Sequence, residues 1–89
     1  MQRSVVVALS EGLHARPAAQ FVAAVGQQPV AVTIAKGDGA PVAAGSILAV
    51  MMLGVGAGDE VVLATESDDA TAAASLDALE HFLSSPVLA

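Results

Sequence analysis

Runs of apolar residues alternate with glycine, proline and small polar clusters, and the period within each run assigns it an element. Ser4 to Leu9 is β-rich and apolar, which predicts a central strand buried by helices. From Ala15 to Val25 the positions Ala18, Phe21, Val22 and Val25 follow i, i+3, i+4, i+7. That spacing predicts a helix with one inward stripe, stopped at Gly26. After Pro29, Val30, Val32 and Ile34 alternate, predicting a strand over Val30 to Ala35. The turn cluster Lys36 to Pro41 and the short Val42-Ala43 segment complete a hairpin. Ser46 to Leu53 reads as a short helix, with Ser46 as N-cap and Gly54 as stop. Glu60 to Thr65 is a further strand. Asp68 to Ser84 is a helix capped by Ser67 or Asp68, with acids in its first turn, an Ala72, Leu76, Leu79, Leu83 stripe, and Pro86 beyond its end. The order is βαββαβα. So few strands cannot close a barrel, so the expected class is α+β, a sheet with one face covered by helices. The hairpin strands are antiparallel; the pattern leaves the remaining pairing order open.

Composition narrows the class. At 89 residues the chain is expected to form one domain, 1–89, and 55% of it is hydrophobic. Phe21 and Phe82 are the only aromatics, so valine, leucine, isoleucine and alanine must fill the core. With no cysteine there is no disulfide framework and no thiolate metal site. Val5 to Leu9 is too short for the core of a signal peptide or for a bilayer span. The Gly45 to Ala57 run is broken by Gly54 and Gly56. The chain therefore reads as soluble and cytoplasmic, without membrane insertion. Three basic residues, Arg3, Arg16 and Lys36, stand against nine acidic ones, for a formal charge of −6. No basic patch or stacking aromatic supports nucleic-acid binding. His81, near the end of the last helix, reads as helix-end stabilisation, and two distant histidines without cysteine predict no metal. No cofactor is expected.

The candidate chemistry sits at residues 12–19. Gly12 permits a tight or left-handed turn, and Pro17, lacking an N–H, fits a helix's first turn. His14 then lies just ahead of a helix N-terminus, where unpaired N–H groups and the macrodipole favour an anion. An imidazole nitrogen there is a nucleophile able to carry a phosphoryl group. The backbone around Ala15, Arg16 and Pro17 would cradle the oxygens, the helix field contributing roughly 0.3–2 kcal/mol. Arg16 can add a guanidinium fork. The second candidate is the uncharged helix from Ser46, in which Val50 and Leu53 face the core and Ile47, Leu48 and Met51 form an outward apolar patch suited to docking. A phosphate on Ser46 would suit the helix dipole but place charge beside that patch.

Gly12-Leu13-His14-Ala15-Arg16-Pro17-Ala18-Ala19 with Phe21-Val22 resembles the active-site motif of the HPr family, the histidine-containing phosphocarriers of the bacterial phosphoenolpyruvate-dependent sugar phosphotransferase system. Ser46-Ile47-Leu48-Ala49-Val50-Met51-Met52-Leu53-Gly54 is similar to the family's second signature, and the resemblance spans the chain in length and element order. It implies an open-faced β-sandwich, a four-stranded antiparallel sheet under three helices. It also implies that enzyme I, charged by phosphoenolpyruvate, passes a phosphoryl group to Nδ1 of His14. The carrier then hands it to a histidine of a sugar-specific enzyme IIA, with Arg16 steadying the phosphate. Partners would dock on the first two helices, at Ile47, Leu48 and Met51, and an HPr kinase/phosphorylase acts in some bacteria on the serine matching Ser46. The chain departs from the commoner pattern at Gln20, Gly45 and Met52, and Arg16 is the lone cation near the site. The expectation is a monomeric relay rather than an independent catalyst. A carrier in a nitrogen-related or dihydroxyacetone-kinase relay would use the same site. The alternative of another class is a regulatory adaptor controlled at Ser46, which would need neither His14 nor Arg16.

Overall fold

The computed structural model describes residues 1–86. The elements are β1 (Gln2–Val6), α1 (Ala15–Gly26), β2 (Thr33–Lys36), β3 (Val42–Ala43), α2 (Ile47–Met52), β4 (Glu60–Ala64) and α3 (Ala70–Ser84). The four strands form one antiparallel sheet in the order β1-β4-β2-β3. β4 is thus central, pairing Val5 with Val61 on one side and Ile34 with Leu63 on the other. Val5, Ile34, Val61 and Leu63 point to the helical layer and are buried, whereas Gln2, Ser4, Thr33 and Glu60 lie exposed. All three helices pack over one face, which is the open-faced α+β architecture.

Each helix contributes its predicted stripe. Ala18, Phe21 and Val25 of α1 and Ala72, Leu76, Leu79 and Leu83 of α3 are buried, while Val22 of the α1 stripe is partly buried at the core's edge. Phe21 and Phe82 meet with ring centroids 5.9 Å apart and a 49° tilt, an aromatic contact between the two long helices. α2 buries Val50 alone, with Leu53 packed at the edge of the core.

Several boundaries differ from the sequence expectation, those of the strands for non-local reasons and those of the helices through local turn and cap bonds. β1 runs from Gln2 to Val6 instead of Ser4 to Leu9, and it is an edge strand, not the central one expected, with one face open. Val6 is therefore 58% exposed while Val5, Val7 and Leu9 are buried. Within the polar start of the strand, Arg3 pairs its guanidinium with Asp77 and Glu80 of α3. β2 begins at Thr33, where it first meets Ala43 and Ala64, so Val30 to Val32 lie outside the ladder. Lys36 joins the strand by pairing with Val61. Gly26 is the last helical residue of α1 instead of its left-handed stop. The α1 terminus closes through Gln27 and Gln28, whose N–H groups bond Ala24 and Val25 carbonyls. The cap of α3 is Asp69, whose Oδ1 accepts the Ala72 N–H at 2.9 Å, not Ser67 or Asp68, and no acid lies in the first turn. The Thr65 hydroxyl donates to the Ser67 carbonyl at 2.6 Å and holds that segment as a turn, which delays the helix.

Candidate functional site

Beyond β1 the chain buries Val7 and Leu9 and then turns back, the Gly12 N–H bonding the Leu9 carbonyl at 2.9 Å. Gly12 has φ +64, and a Cβ there would sit 2.4 Å from the Val55 carbonyl oxygen, so glycine is required twice over. Leu13 is fully buried, and its N–H donates to that same Val55 oxygen at 2.9 Å. The backbone is thereby pinned against the loop after α2 one residue before His14. His14 itself is the N-cap of α1, with φ −110 and ψ 156. Its carbonyl accepts the Ala18 N–H at 3.2 Å, while its side chain makes no capping bond and stays exposed. The ring is thus reachable at the electropositive end of a 12-residue helix.

Ala15 and Arg16 open α1 with N–H groups that have no helical carbonyl one turn back, and Pro17 has no N–H at all. No acid occupies that first turn. Ala15 takes φ +35, the one positive φ recorded for a non-glycine among the described residues. Of the three basic residues, Arg3 is held by Asp77 and Glu80, and Lys36 lies 3.5 Å from Asp59. Arg16 is exposed and forms no ion pair among the described residues, which leaves its guanidinium open to an incoming anion. The exposed ring, two N–H groups without a helical carbonyl and the exposed guanidinium thus fall within three consecutive residues, 14–16. Two shallow clefts lie on the open sheet face, around Thr33, Ala64 and Thr65 and around Gln2, Ala35 and Val62, and His14 lines neither.

α2 packs beside α1. Ser46 caps it as expected, Oγ accepting the Ala49 N–H at 3.3 Å, and Gly54 at φ +67 ends it. Ile47, Leu48 and Met51 are 43%, 67% and 41% exposed, the outward patch the sequence predicts. Met52, at 77%, belongs to the same surface and went unassigned. Its spacing from Leu48, one helical turn, was the available signal. The loop after α2 is braced by Asp59, whose Oδ2 accepts the Gly56 N–H at 2.8 Å. That bond, and the Lys36 ammonium beside it, hold the Asp59 carboxyl below the ordinary carboxylate range. Among the described residues no group of three or more His, Asp or Glu side chains converges to hold a metal.

The model of the family described as the PTS HPr component phosphorylation site matches residues 1–85. The chain belongs to the HPr family. It is 54% identical over 72 residues to a phosphocarrier protein HPr of Streptomyces coelicolor, an alignment covering 81% of this chain and 77% of that one. An HPr structure from Bacillus anthracis superposes with a TM-score of 0.84 at 38% identity, covering 93% of this chain and 95% of the other. The HPr-like Crh of Bacillus subtilis, whose structure is described as a domain-swapped dimer, superposes at 0.71 with 37% identity over 100% of this chain and 99% of its own. The family is that of the phosphocarriers of the phosphotransferase system, and the open-faced sheet with three helices is the architecture these HPr relatives share.

Proposed function

We propose that the chain accepts a phosphoryl group from phosphorylated enzyme I on Nδ1 of His14 and delivers it to a histidine of a sugar-specific enzyme IIA. In the first step the His14 nitrogen attacks phosphorus, and the bond from phosphorus to the donor histidine breaks as the new P–N bond forms. The second step repeats this exchange with His14 as the leaving group. Arg16 and the Ala15 and Arg16 N–H groups receive the phosphoryl oxygens, which offsets charge without hydrolysing the intermediate. The exposed His14 ring at an acid-free helix start, beside an arginine with no carboxylate partner among the described residues, is the observation that carries this reading.

Docking falls to the α2 patch, Ile47, Leu48 and Met51 extended by Met52, which lies against the helix bearing His14. Ser46 is the candidate for phosphorylation by a regulatory kinase, since a phosphate on it adds charge next to that patch. The chain works in the cytoplasm as a single domain and a monomer, because self-association through α2 would cover the surface its partners need.

The test incubates the chain with enzyme I and labelled phosphoenolpyruvate and follows the stability of the label. A phosphoramidate on His14 is acid-labile and alkali-stable and is absent from His14→Ala. Acid-stable label, or label retained in that variant, removes the carrier reading.

A further inference from the structure

Residues 54–59 touch both halves of the candidate site. At one end the Gly54 carbonyl, just past α2, accepts the Lys36 ammonium at 3.0 Å. In the middle the buried Val55 presents its carbonyl to the Leu13 N–H, and a Cβ on Gly12 would collide with Val55 and Gly56. At the other end Asp59 folds back, its carboxylate on the Gly56 N–H and its own N–H on the Gly56 carbonyl at 3.1 Å. The Asp59 carbonyl and the Gly58 N–H then bond Val7, at 2.9 and 2.7 Å. The segment carries three glycines in five residues, Gly54, Gly56 and Gly58, so its backbone has little intrinsic preference for this shape. Val55 anchors the segment in the core, and among the described residues Lys36 and Asp59 are the side chains that hydrogen-bond its backbone, pairing with each other at 3.5 Å.

We propose that Asp59, assisted by Lys36, is a positioning residue for phosphoryl transfer: its carboxylate closes the 56–59 turn that aims the Val55 carbonyl at Leu13 and so fixes the backbone from which His14 projects. This inference rests on His14 being the phosphoryl acceptor. The route is short and physical. The carboxylate fixes Gly56, Gly56 fixes the neighbouring Val55 carbonyl, that carbonyl holds Leu13, and Leu13 precedes the reacting residue. Lys36 adds the link to Gly54, so the end of the docking helix and the His14 turn share one braced loop. A misplaced imidazole loses the in-line approach that group transfer requires, while the α2 patch, on the other side of Gly54, keeps its partner contacts.

The experiment compares the wild-type chain with Asp59→Ala and Asp59→Asn. It measures steady-state phosphorylation by enzyme I alongside amide hydrogen exchange at Leu13, Phe21 and Leu76. Asp59→Ala is expected to lower kcat roughly three- to tenfold with KM little changed, and to speed exchange at Leu13 by about tenfold or more. Phe21 and Leu76 in the helices should exchange as in wild type. Asn retains an oxygen for the Gly56 N–H and is expected to restore most of both losses. Unchanged kcat and Leu13 exchange in Asp59→Ala overturn the proposal. So does acceleration of all three amides together without rescue by Asn, which marks a merely structural role. A wild-type chain that takes no label overturns the carrier reading instead, and the Leu13 exchange of Asp59→Ala then decides the clamp alone.

Discussion

Ala15 lies between the two exposed side chains of the site, His14 and Arg16, with φ +35, where its Cβ meets backbone that a glycine would avoid. The left-handed region costs an ordinary residue about 1–2 kcal/mol, and such strain persists only where the surroundings impose it. Here the imposing groups are the Leu13 bond to Val55 on one side and the buried Pro17 on the other. Ala15→Gly is therefore expected to leave stability unchanged or raise it by up to about 1 kcal/mol. Ala19→Gly, on the exposed face of the same helix, should cost about 0.5–1 kcal/mol. Equal losses in thermal denaturation would contradict strain at Ala15. His14, Arg16 and Pro17 were legible in the sequence because their signals are local: a glycine turn, a helix-starting proline and a cation in between. Nothing in an alanine announces a positive φ. The collision that reserves residue 12 for glycine involves Val55, far along the chain, and so was legible only as a turn.

Among the helices, α2 does least for the core and most for the surface. It buries Val50 and leaves Leu48 and Met52 at 67% and 77% exposure. Replacing Leu48 and Met52 together by serine removes apolar surface that the fold hardly uses, so stability should shift by no more than about 0.5 kcal/mol. If the patch receives enzyme I, KM for phosphorylation should rise about fivefold or more with kcat nearly kept. An unchanged KM would move docking elsewhere. The types and order of all seven elements could be read from period together with caps and turn residues: the Ala72, Leu76, Leu79, Leu83 stripe is strong by itself, whereas α2 needed Ser46 and Gly54 and β3 the turn cluster before it. Their ends could not. The start of α3 is fixed by the Thr65–Ser67 turn, and that of β2 by where Ala43 and Ala64 stand beside it.

Over the whole molecule, a formal charge of −6 coexists with one arginine at the site, Arg16, that forms no ion pair among the described residues. Arg3 and Lys36 are spent on α3 and on the 54–59 loop, so among the described residues at the site attraction to a partner draws on Arg16 and the α1 terminus. Association with enzyme I is therefore expected to lose no more than about threefold in rate between about 0.05 and 0.5 M salt. A steep decline would show that a charged surface other than this one steers the encounter. Strand order was the global feature the sequence left open, because four short strands of similar pattern admit several pairings and only long-range contacts choose β1-β4-β2-β3. That choice places β4 centrally and brings its preceding loop under residues 12–13, which supports the site. The claim on which the rest depends is that His14 carries the phosphate and the start of α1 receives it. Nuclear magnetic resonance of the chain phosphorylated by enzyme I tests it most directly. The account predicts a phosphorus bound to Nδ1 of His14, with the Ala15 and Arg16 amide protons moved strongly downfield. Phosphorus on another atom, or those two amides left where they stand in the free chain, would contradict it.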